Sequence, residues 1–235
     1  MIEIKQLIKN FGKVKVLKEL DLYIRAGGIF AILGPNGSGK TTLIKSILGM
    51  VIPDSGTITI EGENILRKYS YRKNIDYLPQ IASFPNNLTV NELIKMVKDL
   101  RNISTREDEL ISIFGLDQFL DKKLGNLSGG TRQKVNLVLA FMFDSSLVIL
   151  DEPTSGLDPV SLIHLKRHIR DEKSKGKTIL ITSHIMDFVE EMSDEIVFLL
   201  DGRIYFQGTV VELKKQTGKP DLEHAIAAIL KEEYV

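Results

Sequence analysis

The stretch Gly34 to Thr42 reads GPNGSGKTT, and its residue types and spacing suit the capture of a phosphate chain. It fits the pattern G-x-x-x-x-G-K-[ST], with Gly34, Gly39, Lys40 and Thr41 at the fixed positions and Pro35, Asn36, Gly37 and Ser38 between them. Glycines at 34, 37 and 39 let successive backbone N–H groups turn toward one anion, where a β-carbon would block the φ angles or the approach. Lys40 adds a point charge for the β- and γ-phosphates, and Thr41 offers a hydroxyl to Mg²⁺. The chemistry implied is the binding of a nucleoside triphosphate.

Four other places carry groups suited to such a ligand. Asp151-Glu152 follows the apolar run Leu147 to Leu150. Carboxylates at the carboxyl end of a buried parallel strand lie in the ligand crevice of an open α/β sheet. There Asp151 would hold Mg²⁺ through water, and Glu152 would orient or deprotonate the attacking water. Ser183-His184 ends the strand Thr178 to Thr182, so His184 can donate to a γ-phosphate oxygen as charge develops. Ser128-Gly129-Gly130 opens a helix read as running through Phe143, with Ser128 as N-cap, which makes a second anion site. Gln80 lies just past the short strand Ile75 to Leu78 and could offer its carbonyl to a metal or a water, although most such glutamines are solvated loop residues.

Two features read as structural. Phe11, in the first turn with Gly12, could stack on a purine, yet a lone phenylalanine more often belongs to a core. His164 and His168 stand one helical turn apart, but no glutamate follows His164 as in H-E-x-x-H, so a solvated helix face is expected there.

These groups need a scaffold of strands and helices to hold them. Gly28 to Leu33, GIFAIL, is a buried-strand run, and Thr42 to Leu48 is apolar at helical spacing, giving strand, glycine loop, helix. Ile2 to Leu7, Val14 to Leu17, Leu20 to Ile24 and Thr57 to Ile60 read as strands of an antiparallel, half-exposed sheet. From Asn87 the texture turns helical. Thr89 and Glu92 form a capping box, and a second helix is expected at about Arg106 to Phe114, starting from Thr105 and closing near Gly115. Asp158-Pro159 starts a further helix, and Glu195 to Leu200 with Arg203 to Gln207 form a hairpin about Asp201-Gly202. Two helices follow, the last with Leu222, Ala225, Ile226, Ile229 and Leu230 on one stripe.

The expected fold class is therefore α/β: a P-loop core with a mixed sheet, an N-terminal antiparallel β subdomain and an inserted α-helical subdomain. It is read as a single domain over 1–235, with 1–80 and 144–210 as core, 81–143 as the helical insertion and 211–235 as C-terminal helices. Lys plus Arg and Asp plus Glu number 31 each, so no net field draws the chain to nucleic acid or an anionic surface. The absence of cysteine excludes disulfides and thiolate chemistry. No apolar run approaches the ~18 residues that span a bilayer, and no signal segment opens the sequence, so a cytoplasmic chain is expected.

Taken together and in this order, GPNGSGKTT, Gln80, LSGG at Leu127, LVILDEP, SGLD ending at Asp158 and His184 resemble the ATP-binding subunits of ABC (ATP-binding cassette) transporters, along nearly the whole chain. The resemblance implies an ATPase with ATP and Mg²⁺ as ligands. It implies that Phe11 stacks on adenine, and that Thr41, Gln80 and Asp151 attend the metal. Ser128, Gly129 and Gly130 would bind the γ-phosphate held by a second ATP-binding subunit, in the simplest case another copy. Glu152 would be the base, with Lys40, Gln80 and His184 completing the catalytic set, and Asp158 would link the two sites. It further implies a transmembrane permease partner and a place on the inner face of the cell membrane. Thr131 departs from the family, which usually has glutamine or methionine there. LSGGTRQKV together with PQIASFPNNLTV is also similar to the ABC ATPases that process copper for nitrous oxide reductase. An alternative reading is a soluble ABC ATPase acting on nucleic acid or ribosomes; such chains usually carry two cassettes or a long coiled-coil insertion, and this one has neither.

Overall fold

A computed structural model describes residues 1–234. The chain packs as two compact units, Met1–Tyr71 with Leu180–Val235, and Arg72–Ile179. The expected helical insertion 81–143 falls inside the second unit; Val235, in the expected C-terminal helical segment, lies outside the described residues.

The first unit begins with β1 (Ile2–Phe11) and β2 (Val14–Ile24), a hairpin closed by the pair Phe11 and Val14. Both strands are longer than their apolar runs suggested, because Gln6 and Glu19 take positive φ (50° and 54°) and the register shifts there. Such bulges break the in–out alternation without ending the pairing. Phe11 is thus the last residue of a strand rather than part of the turn. β3 (Gly28–Leu33) is buried along its whole length and leads into α1 (Lys40–Ile47). β4 (Ser55–Ile60) and β5 (Glu63–Asn64) extend the antiparallel sheet to the order β2-β1-β4-β5.

The second unit contains β6 (Ile75–Leu78), α2 (Val90–Arg101), α3 (Glu107–Ile113), α4 (Gly129–Phe141), β7 (Leu147–Asp151) and α5 (Pro159–Ser174). β6 and β7 are parallel, with Leu78 opposite Leu150. The Thr89–Glu92 capping box forms as the sequence predicts. α3 instead starts one residue later than expected, with Arg106 at its N-cap, and α4 ends at Phe141 rather than Phe143. β8 (Thr178–Thr182) begins in this unit, and the chain then returns to the first.

There α6 (Met186–Met192), β9 (Glu195–Leu200), β10 (Arg203–Gly208), α7 (Val210–Thr217) and α8 (Leu222–Tyr234) complete the order. β9 runs parallel to β3 and antiparallel to β10, so the sheet behind the glycine loop is mixed. Asp201 and Gly202 both have positive φ, the backbone a two-residue hairpin turn requires. The stripe on α8 packs with Ala31, Leu33, Ile196 and Phe198 of the strands.

The second unit is braced by a buried charge cluster. Glu172 of α5 has no solvent exposure and accepts from Arg106 Nη1 (2.7 Å) and Nη2 (2.5 Å), with Lys175 Nζ at 2.8 Å and Lys177 Nζ at 2.6 Å. Arg106 also donates to the Phe141 carbonyl, so one side chain ties α3, α4 and α5. His168 packs edge-on to Phe141 with ring centroids 4.6 Å apart and is buried, which corrects the expectation of a solvated face. Burial holds its imidazole pKa down at about 4. His164 Nδ1 lies 2.6 Å from the Ile113 carbonyl. Among the described residues no cluster of His, Cys, Asp or Glu could hold a metal.

Candidate active site

In the first unit the loop from Gly34 to Gly39 joins the end of β3 to α1. Gly34 has φ +149°, and a β-carbon there would sit 2.1 Å from the Leu199 carbonyl oxygen and 2.7 Å from Ser38 Oγ, so only glycine lets the loop lie against β9. Ser38 N donates to the Pro35 carbonyl at 3.2 Å, which closes the turn over Asn36 and Gly37. Gly39 is the left-handed N-cap of α1 and provides no side-chain cap, so the first N–H groups of the helix, at Lys40, Thr41 and Thr42, face outward as donors. The Lys40 ammonium lies over the loop, donating to the carbonyls of Gly34 (2.6 Å) and Pro35 (3.1 Å). Thr41 is exposed. A glycine loop seated against β9, beneath a lysine and an uncapped helix start, fits a phosphate chain.

His184 in the same unit is exposed, in the segment between β8 and α6, beside Ser183, whose Oγ accepts from Ile185 N at 3.1 Å. Phe11 is half exposed, with Lys9 Nζ over one face of its ring at 5.2 Å from the centroid, so the ring is not committed to the core.

In the second unit the register of β6 and β7 sets Gln80 and Glu152 each two residues beyond the opposed pair Leu78 and Leu150, at the same carboxyl edge. Arg101 secures that edge's strand, donating to Asp76 Oδ1 at 2.5 Å and to the Lys73 carbonyl at 2.7 Å. Asp151 is buried. Burial, joined by the Asp151 charge, pushes the Tyr77 phenol up to about 12. Glu152 takes φ +52°, a left-handed backbone that non-glycine residues rarely adopt. The loop after it is held by Ser155 N to the Glu152 carbonyl (3.2 Å) and Leu157 N to the Thr154 carbonyl (3.3 Å).

Ser128 is the N-cap of α4, accepting from Thr131 N at 3.2 Å, and its Oγ lies 2.8 Å from Thr131 Oγ1. Gly129 and Gly130 form the first turn. Asp158 pairs with Lys134 Nζ at 2.8 Å and caps α5 through Ser161 N (2.9 Å) and Oγ (2.8 Å); those donors hold its carboxyl well below the usual range. The sequence reading missed Gln133, whose Nε2 donates to the Pro153 carbonyl at 3.2 Å. The signal was present in the spacing: Gly130, Gln133 and Lys134 share one face of a helix.

A mixed α/β sheet with a glycine loop running from a parallel strand into a helix defines a P-loop nucleotide-binding protein. The chain belongs to the ABC transporter family, whose model matches residues 17–155, and it is an ATP-binding, ATP-hydrolysing subunit of that family. An AAA-domain model, described as a putative AbiEii toxin of a type IV toxin–antitoxin system, also matches residues 123–190. The chain is 33% identical to the uncharacterized ABC transporter ATP-binding protein YxlF of Bacillus subtilis, over 92% of this chain and 73% of that protein. It is 34% identical to the Nod factor export ATP-binding protein I of Rhizobium sp. strain N33, over 88% and 70%, and 33% to the bacitracin transport ATP-binding protein BcrA of Bacillus licheniformis, over 93% and 73%. A solved ATP-binding subunit of an ABC transporter superposes with a TM-score of 0.89 at 31% identity, covering 97% of this chain and 98% of that one.

Proposed function

We propose that this chain is a transport motor in which Lys40 and backbone N–H groups within the loop Gly34 to Thr42 grip the phosphates and Glu152 activates the water. The observation that carries the reading is the glycine loop seated by Gly34 against β9, with Lys40 folded over it at the uncapped start of α1, a set of donors suited to phosphate oxygens. Phe11 offers its exposed ring to the adenine, and His184 its imidazole to the γ-phosphate. Thr41, Gln80 and, through water, Asp151 would hold Mg²⁺, which neutralises charge on the phosphate oxygens. Ser128, Gly129 and Gly130 would bind the γ-phosphate held by a second ATP-binding subunit, so that ATP closes a pair of cassettes and hydrolysis reopens it. A solved cassette of the same fold, 22% identical to this chain, is itself a dimer in a post-hydrolysis state bound to ADP and Pi.

The whole chain acts as one cassette in this reading. Its output is movement of a transmembrane permease, with the cassette peripheral on the inner face of the cell membrane. Among the described residues no helix is long and apolar enough to cross a membrane itself. The name of the Nod factor export protein favours export as the direction. A copper-processing role rests only on the likeness of LSGGTRQKV and PQIASFPNNLTV, and none of the relatives named above bears such a name.

The test is Glu152→Gln. It keeps shape and removes the base, so nucleotide binding stays at the wild-type level while turnover falls by about 10²–10⁴-fold. Undiminished hydrolysis would take Glu152 out of the role.

A further inference from the structure

Three residues on one face of α4 meet the loop that follows β7. A β-carbon on Gly130 would lie 2.6 Å from the Gly156 carbonyl oxygen, so helix and loop touch backbone to backbone. One turn on, Lys134 pairs with Asp158. Between them Gln133, 8% exposed, donates from Nε2 to the Pro153 carbonyl, and its Oε1 accepts from Asn136 Nδ2 at 3.3 Å. The two bonds fix which end of the Gln133 amide faces the loop, since a carbonyl can only accept and the Asn136 NH₂ can only donate.

The carbonyl so held belongs to the residue after Glu152. Glu152 sits in the left-handed region and also precedes a proline, two conditions that an unsupported glutamate avoids. A conformation of that kind persists only where the surroundings over-determine it. The proline ring removes freedom on one side, and the Gln133 amide removes it at the carbonyl.

We infer that Gln133, oriented by Asn136, is a positioning residue that holds the Glu152 backbone in the conformation from which its carboxylate works. This rests on Glu152 being the base. It also gives the Ser128-Gly129-Gly130 segment a route to the hydrolytic group inside one chain: Ser128 and Gly130 begin the same helix that carries Gln133, so a ligand at the start of α4 acts on the loop beyond Glu152 through a single rigid element.

The experiment is steady-state ATP hydrolysis with Gln133→Met, which keeps length and volume and removes the donor, alone and combined with Glu152→Gln. A misplaced base costs rate and not substrate affinity, so kcat falls about tenfold or more while KM for MgATP stays within about twofold. In the Glu152→Gln background the same change has no further effect on residual single-turnover hydrolysis, because the group it acts through is gone. A structural role would instead lower both backgrounds equally. Asn136→Leu, which removes only the orienting amide, gives a smaller kcat loss of the same kind and carries the test if Gln133→Met folds poorly, as judged by melting temperature. A normal kcat in Gln133→Met beside an inactive Glu152→Gln overturns the inference alone. An equal loss in both backgrounds overturns it too. Full activity of Glu152→Gln would remove the base assignment and the inference with it.

Discussion

Glu172→Gln tests whether the charge cluster in the second unit is as tightly coupled as its geometry implies. Glu172 is fully buried and is the carboxylate that Arg106, Lys175 and Lys177 share; Lys177 is itself only 6% exposed. The glutamine is nearly isosteric, so the contact with His168 is preserved and the change isolates the charge. Removing one partner of a buried ion pair costs about 3–5 kcal/mol; here Arg106 loses its two-pronged carboxylate, while Lys177 keeps Asp144 at 2.8 Å and Lys175 stays half exposed. For a chain of this length each kcal/mol moves the melting temperature by about 2–4 °C, so a drop of roughly 6–20 °C is expected. Calorimetric or circular-dichroism melts at neutral pH measure it. The sign with pH is also fixed: burial pushes the Glu172 carboxyl up, but the cationic donors around it outweigh burial and hold it far below its ordinary 4.5. Its stabilisation is therefore complete above 4.5 and is lost only as pH falls through the depressed folded-state value. The gap between wild type and variant should stay constant from neutral pH to about 4.5 and close in stronger acid. A melting temperature within about 2 °C of wild type would refute the reasoning.

Two further outcomes follow from neighbouring residues. His168 titrates at about 4 in the fold against 6.5 when free, mainly through burial, so the stability it contributes is complete above 6.5 and is lost as pH falls toward 4; His168→Leu should flatten the melting-temperature profile across that window, and an unchanged slope would count against it. Thr131→Val keeps the backbone bond to Ser128 and removes the hydroxyl pairing, so the melting temperature holds while turnover falls about fivefold, the effect of about 1 kcal/mol of hydrogen bond; turnover equal to wild type would show that the pairing does nothing for Ser128.

The glycine loop was legible because each constraint is local: Gly34 to Thr42 and its flanks lie within about twenty residues, and backbone chemistry dictates the types. The same holds for the Thr89 capping box and the Asp201-Gly202 turn. The Thr209–Glu212 capping box of α7 carries an equally local signal that the reading by periodicity passed over. What sequence could not show were effects that depend on partners far along the chain. The extension of β1 and β2 through bulges at Gln6 and Glu19 depends on cross-strand pairing. The burial of His168 depends on Phe141 and Arg106, more than twenty residues away. The seat of the 153–158 loop on α4 likewise needs the fold before Gln133 and Pro153 become neighbours. At Asp151 and Glu152, LVILDEP marked the carboxylates at a strand end but not the left-handed backbone at Glu152.

The tip of the β9–β10 hairpin has a practical consequence for anyone modifying the chain. Hairpin tips are ordinarily where insertions, affinity tags and new termini are best tolerated. Here Gly202 N donates to the Ser38 carbonyl of the glycine loop at 3.1 Å, Lys18 N donates to the Gly202 carbonyl at 2.9 Å, and Lys18 Nζ reaches Asp201 at 2.6 Å. The tip is a wedge between the glycine loop and β2. A peptide grafted at Asp201-Gly202 would pry at the glycine loop itself, so this tip is a poor place for such engineering.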